Sequence, residues 1–291
     1  MLFFGFGLYI KSDIRLSRLI SIEEQLADIE IYQCESAYNS ELGFEQERFW
    51  KGSKQSFSVY VPDVAYFKIV DGKRILYFPD GQHDIDSIAL FILGTCMGAL
   101  LAQRKKLVLH ANAIKINGKA ILFCGPSGIG KSTLAAKFVQ KGYSILADDL
   151  SVIDEKNQVS PSYPYIKLWH ETSENLNIPT QQLNKVRPQI EKYALPLDDH
   201  FYRETLPVES IIQLKIHNKK TFKIEELNGF KKIPLLYNNT YRIKHVEEMG
   251  LLDVNMALSA NLANHTRIYE ITRPDSGFMI NELVEYILNH V

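Results

Sequence analysis

The sequence predicts an α/β fold with a mixed or mostly parallel sheet, built as a small β-rich N-terminal subdomain over residues 1–83 and a larger domain over residues 84–291. Three observations predict it. A short apolar run, KAILFC (119–124), enters a Gly-rich loop and then a segment with Leu134, Ala135, Phe138 and Val139 at helical spacing. A second strand-like run, YSILADD (143–149), follows that segment at once. Residues 56–79, upstream, hold three strand-like runs in succession.

The opening MLFFGFGLYIK is apolar but lacks the charged leading region of a signal peptide, and it reads as a first strand. SFSVYV (56–61), VAYFKIV (64–70) and RILYFP (74–79) follow as strands, the last two joined by Asp71-Gly72, a strong hairpin signal. IALFILGTCMGALLA (88–102) is the longest uncharged run and carries Gly94 and Gly98 in a G-x-x-x-G spacing. Its fifteen residues fall short of the roughly twenty that cross a bilayer, so it reads as a buried core helix, with no membrane span. That helix covers about 84–104, opening on Asp84 and Asp86, residues suited to a cap and a first turn. LVLHANAIKINGKAILFCG (107–125) holds two apolar runs around Asn117-Gly118 and predicts strand, tight turn, strand. Gly142 is placed to end the helix after the loop. In the tail, Met279, Ile280, Leu283, Val284, Ile287 and Leu288 form a helical apolar stripe after a cap at Asp275-Ser276. The stripe packs on the domain or on a partner subunit of a homo-oligomer.

With 291 residues, 46% hydrophobic and 23% charged, the chain can bury a sizeable core. A formal net charge of −1 speaks against broad electrostatic binding to nucleic acid or to a membrane surface. Cys34, Cys96 and Cys124 are too widely spaced for a zinc site and odd in number, which suits a reducing cytoplasm.

The chemistry centres on FCGPSGIGKSTLAA (123–136). Gly125, Gly130, Lys131 and Ser132 fill G-x-x-x-x-G-K-[ST], the pattern of a phosphate-binding loop between a strand and a helix. Glycines there let backbone N–H groups turn toward phosphate oxygens, and the helix N-terminus adds partial positive charge. The expected phosphate-contacting set is Gly125, Ser127, Gly128, Gly130, Lys131, Ser132 and Thr133, with Lys131 on the outer phosphates and Ser132 on Mg²⁺. ATP, GTP and pyrophosphate all satisfy this pattern. Asp148 and Asp149 end the strand-like run that follows, where a pair of acids can divide metal binding from proton acceptance, or simply serve a turn. His110, on LVLHANAI, is a third candidate.

Together, His110, GPSGIGKS (125–132) and ILADD (145–149) resemble the C-terminal catalytic domain of the bacterial HPr kinase/phosphorylase family. The resemblance spans about 107–153 and implies a P-loop kinase core, a serine hydroxyl as acceptor, and Mg²⁺. It also implies that Asp148 is the base, that Asp149 and Ser132 hold the metal, and that His110 supports the aspartates. Thr133 stands where that family usually carries an acid, and its second glycine-rich signature has no match, so a kinase poor in the reverse reaction is expected. PSYPYIKLW (161–169), KVRPQIEKYALP (185–196) and RIYEITRP (267–274) are more similar to smaller HPr-kinase-related proteins, some of which phosphorylate a serine of a ribosomally made, lasso-type precursor peptide. Arg187 and Lys192, in a Pro-bounded polar stretch, are candidate substrate-binding cations, and Arg242 and Arg267 are weaker ones. The expected activity is ATP- and Mg²⁺-dependent phosphorylation of a peptide or protein serine. A nucleotide-driven switch or assembly protein and a small-molecule kinase are the alternatives.

Overall fold

The computed structural model describes residues 1–35, 49–81, 84–187, 190–275 and 277–291. Two compact units emerge, residues 1–108 with 241–258, and residues 109–240 with 259–291. The sequence-based division at 83/84 differs from this partition. The helix after residue 83 packs its apolar side on strands of the first unit, with Phe91 and Phe67 rings 6.4 Å apart, and so clusters with them.

In the first unit, a sheet of eight described strands runs in the order Ile20–Ser21, Leu2–Gly5, Leu8–Ser12, Ile29–Gln33, Arg74–Pro79, Ala65–Val70, Ser56–Val61, Trp50–Gly52. The three strands expected between 56 and 79 form, and Asp71 and Gly72 turn the last pair with φ of 54° and 62°. The opening run is a hairpin rather than one strand. Phe6 and Gly7 both adopt positive φ between its arms, and the buried Phe6 ring hides the turn from a pattern that looks for Gly, Asn or Asp.

The helix Ile85–Gln103 starts on an Asp84 side chain that accepts from Asp86 N and Ser87 N. It runs nineteen residues, longer than the apolar run alone, and is apolar enough to cross a membrane by length and composition, yet 67% of its apolar window is buried inside the protein. Its G-x-x-x-G pair is a seat for Tyr241. A Cβ on Gly98 would lie 2.7 Å from the ring Cδ1, and one on Gly94 would lie 3.2 Å from the hydroxyl. A single π-helical turn, Ile92–Cys96, interrupts the helix beneath this contact.

The second unit carries a mixed sheet. Ala111–Ile116 pairs antiparallel with both Lys119–Cys124 and Ser144–Ala147, and Lys119–Cys124 pairs parallel with the long strand Leu206–His217, which in turn pairs parallel with Arg267–Pro274. The Asn117-Gly118 turn forms as expected, with φ of 51° and 80° at its two residues. A separate three-stranded antiparallel sheet joins Tyr165–Trp169, Lys192–Pro196 and Asn184–Lys185. The helix Lys131–Gln140 ends in a Schellman motif: Gly142, φ 88°, donates to Val139 O, and Tyr143 N donates to Phe138 O. The tail helix Ile280–His290 buries Ile280, Leu283, Val284 and Ile287, and packs on the helix Lys131–Gln140 of its own unit. The tail helix starts after Met279, which makes no side-chain cap bond, so the cap expected at Asp275-Ser276 is not where the helix begins: Asp275 lies five residues ahead of Ile280, and Ser276 is outside the described residues.

Two outcomes test this packing. Ala gains roughly 1 kcal/mol over Gly in a helix interior, whereas overpacking costs about 1–3 kcal/mol, so Gly98→Ala should destabilise the protein in denaturant unfolding. In a Tyr241→Ala background the same change should stabilise it, and stabilisation in both backgrounds would refute the seat. His245 is wedged between the Trp50 and Phe57 rings, at 5.3 and 4.8 Å, and its buried Nδ1 has no hydrogen-bond partner among the described residues. Burial, aided by Arg242, pushes its imidazole down to about 4 from 6.5. The folded form thus excludes a proton that the unfolded chain takes, so stability held above pH 6.5 is lost as pH falls toward 4. His245→Phe should flatten that acid limb in thermal melts, and an unchanged limb would remove His245 as its source.

Candidate functional site

Sheet direction brings the candidate residues to one edge. Lys119–Cys124 and Ser144–Ala147 both run antiparallel to the strand between them, so both deliver their C-terminal ends to the same side, Gly125 from one and Asp148 from the other. The intervening strand begins on that side, immediately after His110. Three loci far apart in the chain therefore converge.

In the loop, Gly125, Gly128 and Gly130 hold φ of 141°, 82° and 104°, backbone that L side chains rarely adopt. A Cβ on Gly125 would lie 2.9 Å from Leu214 O, while the position above Gly128 is open space. Lys131 is the first residue of the helix and is buried, its Nζ donating to Gly125 O at 2.7 Å and Pro126 O at 3.2 Å. Burial pushes its ammonium down, with Asp149 opposing.

Asp148 is fully buried, and both its oxygens are occupied. Oδ1 accepts from Asn112 Nδ2 at 2.7 Å and from Ser132 Oγ at 3.1 Å, and Oδ2 accepts from Lys167 N at 2.9 Å. Burial and the neighbouring Asp149 push its carboxyl up to about 6. Asp149 follows at φ 70°, its Oδ2 2.6 Å from Lys167 Nζ. Burial acts to raise its carboxyl, but Lys167 and then Lys192 outweigh that and hold it well below the usual range. The Lys167 ammonium is disfavoured by burial yet carried well above its ordinary value by Asp149. His110 Nδ1 lies 3.1 Å from Asp149 O, and burial, reinforced by Lys131, lowers its pKa and keeps the ring neutral at pH 7. A neutral ring donating through Nδ1 to that carbonyl fixes the backbone of the acid pair.

Of the residues expected from the sequence, Lys131, Ser132, Asp148, Asp149 and His110 come together. Lys192 joins them electrostatically from the three-stranded sheet, its Nζ 5.5 Å from the Trp169 ring. Thr133, half-buried in the first turn of the helix, and Ser127, exposed at the loop crest, flank the glycines. Arg187 is half-buried ahead of the Lys192 strand, its carbonyl accepting from Ile190 N. Arg267 pairs instead with Glu226 at 3.2 Å, and Arg242 caps a helix of the first unit at φ 47°. Sequence reasoning missed Asn112, Lys167 and Arg273, whose Nη2 donates to Ile129 O in the loop at 3.2 Å. Asn112 stands on a strand whose other residues, Lys115 excepted, are apolar, and a lysine within YPYIKLW sits among residues that predict burial, so both left a readable trace.

The geometry fits a phosphate with a divalent cation. Among the described residues no cluster of three or more His, Cys, Asp or Glu could hold a metal on its own. Ser132 and an aspartate suit a cation such as Mg²⁺ that takes one or two protein ligands and completes its shell with phosphate and water.

Breaking a buried ion pair by removing one partner costs about 3–5 kcal/mol. Lys167→Met should therefore lower unfolding free energy substantially at pH 7, and Lys167→Met with Asp149→Asn should recover most of the loss. Because the folded Asp149 carboxyl is depressed, its contribution is present above its unfolded pKa of 3.8 and fades as pH falls through the folded value, so wild type and Lys167→Met should converge in acid. A loss that does not shrink between pH 7 and pH 2 would show the pair to be incidental.

Comparison with known proteins falls on this same stretch. Residues 100–164 match the family model described as HPr Serine kinase C-terminal domain. The HPr kinase/phosphorylase of Mycoplasmopsis pulmonis is 35% identical over 77 residues, 25% of this chain and 25% of that protein. That of Lactobacillus acidophilus is 36% identical over 66 residues, 23% of this chain and 20% of that protein. A solved structure of the Hpr(Ser) kinase/phosphatase from Coxiella burnetii aligns with 63% of this chain and 89% of its own, at a TM-score of 0.33 and 13% identity. The chain spans about a quarter or less of the length of the curated relatives it matches. The strand, loop and acid pair that form the candidate site are thus the part of this chain that is similar to the HPr Serine kinase C-terminal domain.

Proposed function

We propose that the second unit is a kinase built on a phosphate-binding loop, transferring the γ-phosphoryl group of ATP to the serine hydroxyl of a peptide or protein. The observation that carries this reading is the convergence of a buried lysine, a helix-start serine and two aspartates on one sheet edge, with Ser132 Oγ donating to Asp148. The similarity of residues 100–164 to the HPr Serine kinase C-terminal domain supports it. A ribosomally made precursor peptide of the lasso type is the finer reading of the acceptor. It draws on the likeness of residues 161–169, 185–196 and 267–274 to smaller kinases of that kind.

Bound Mg²⁺ supplies charge neutralisation on the phosphates, and Ser132 with Asp148 would hold it. The loop amides and Lys131 bind and orient the donor, where positioning and electrostatic stabilisation provide nearly all of the catalysis. Two criteria compete for the roles of the aspartates. The raised carboxyl of Asp148 suits a base, whereas its complete burial and its bond to Ser132 suit the metal side. Access supports the second criterion, because a group that receives a proton must touch the incoming hydroxyl. The Asp149 side chain keeps 18% of its surface and Asp148 none, so Asp149 orients the acceptor and Asp148 serves the metal, the reverse of the division implied by family resemblance. Lys192, on the same side, is the cation that meets the acceptor.

Labelled ATP and Mg²⁺, incubated with HPr and with candidate precursor peptides, should yield phosphoserine in one of them by mass spectrometry. Lys131→Ala should abolish that transfer while remaining folded. Calorimetry then separates the acids. Asp148→Asn should lose Mg²⁺-dependent ATP binding, and Asp149→Asn should keep it while transfer falls about 10²–10⁴-fold. The opposite pattern would restore the metal to Asp149.

A further inference from the structure

A cavity of about 450 Å³ opens between the mixed sheet and the helix Lys232–Asn239, both of the second unit. That is within the roughly 300–1,000 Å³ of small-molecule sites. It lies across Lys119–Cys124 from the acid pair, on the side of the long strand Leu206–His217. Strand register sets its floor. Gln213 stands beside Glu270, and Glu270 beside Glu225 of the strand Lys223–Leu227, so the three side chains share one face and line the cavity together. Two glutamates directly opposite each other on an antiparallel pair repel. Lys215 Nζ, 2.6 Å from Glu270, and Lys231 Nζ, 3.7 Å from Glu225, offset that repulsion.

In each of these pairs the acid is the more enclosed partner. The Glu270 side chain keeps 24% of its surface against 50% for Lys215, and Glu225 is likewise less exposed than Lys231. Ion pairs as exposed as these are weak. The interior therefore offers negative charge and the mouth positive charge. Amides of Gln213, Asn238 and Asn239 stand beside the carboxylates, and Leu227, Leu235 and Pro234 supply apolar wall. A molecule that matches this order carries an ammonium to relieve the paired glutamates, a carboxylate next to it for the outer lysines, and an apolar side chain. A free α-amino acid has all three, whereas a peptide N-terminus lacks the carboxylate.

The inner wall is shared with the candidate site. Gln213 Oε1 accepts from Asn239 Nδ2 at 2.7 Å and from Cys124 Sγ, directly ahead of the loop, at 3.4 Å. A Cβ on Gly125 would lie 3.6 Å from Gln213 Nε2, and Asn239 O accepts from His110 N at 2.7 Å. A ligand that orders these two amides thus acts on the entry to the loop and on the histidine that holds the Asp149 carbonyl.

We infer that this cavity is a regulatory site for a free α-amino acid with an apolar side chain, its ammonium between Glu270 and Glu225 and its carboxylate toward Lys215 and Lys231. The regulatory part rests on the loop being a nucleotide site, and the test keeps the two apart. Calorimetry on the full chain would use leucine, methionine and phenylalanine, each also as its N-acetyl and its amide form. Wild type should bind at least one free amino acid. N-acetylation, which removes the ammonium, should cut its affinity at least about tenfold, and amidation, which removes the carboxylate from the weaker, exposed lysines, about threefold. Glu270→Gln should also lose about tenfold with little change in melting temperature. Asn238→Trp, at an exposed helix position, should fill the cavity and abolish binding. Saturating amino acid should change the affinity for ATP with Mg²⁺ at least about fivefold, and ATP should change the affinity for the amino acid by the same factor. Binding of none of the three free amino acids, or equal binding of free and N-acetyl forms, would overturn the site. An amide as tight as the free form would overturn the free amino acid in favour of a peptide N-terminus. Amino acid binding unmoved by bound ATP would overturn the regulatory role. Failure of wild type to bind ATP would instead overturn the phosphate-loop reading, with the amino acid titrations still deciding the cavity.

Discussion

A fully buried carboxylate has to be surrounded by donors, and Asp148 imposes that requirement on the second unit. It is met by groups from three elements: Asn112 from the strand that opens the fold of this unit, Ser132 from the first turn of the helix after the loop, and Lys167 N from the small three-stranded sheet. Each donor holds its element against the end of one short strand. An unsatisfied charge there would cost several kcal/mol, more than any single apolar contact nearby supplies. The three elements are therefore pinned where a ligand on the loop would need them, and folding and chemistry draw on the same bonds.

The acid pair also shows how one backbone step divides two environments. Asp148 faces inward with every oxygen used, while Asp149, at φ 70°, leaves the strand direction and meets a lysine at the surface of the site. Residues with positive φ other than Gly are uncommon and, for an aspartate, bearable. The local strain here is matched by the Lys167 ion pair and by His110 donating to the Asp149 carbonyl, which together leave that backbone little freedom.

Much of the second unit was legible in the chain. The loop, the Asn117-Gly118 turn and the Gly142 terminus depend on local signals, glycine where φ is positive and apolar runs of strand length, whereas the link of His110 to the two acids was legible only as what the family resemblance implied. What was hidden is non-local. Lys167 gives no sign in sequence of which acid it meets, because a buried lysine and a solvated one are written alike. The exchange of roles proposed for Asp148 and Asp149 rests on burial, which alternation along a strand cannot assign once the second residue departs from strand geometry. In the first unit, Phe6 occupied a turn position that pattern reading reserves for smaller residues, and the partner of the Gly94 and Gly98 seat on the helix Ile85–Gln103 is Tyr241, more than a hundred residues away.

The strand Ala111–Ile116 is antiparallel to both its neighbours, so its two-residue turn at Asn117-Gly118 lies at the opposite end of the sheet from His110 and Asn112. Side chains alternate with a period of two, so the length of that remote turn decides which residues of the strand meet Asp148. Removing one residue there would exchange the two faces along the whole strand, turning Asn112 away and offering the buried carboxylate an alanine. The site is thus indifferent to the chemistry of a surface turn and bound to its length, so length variation would be purged where substitution is tolerated.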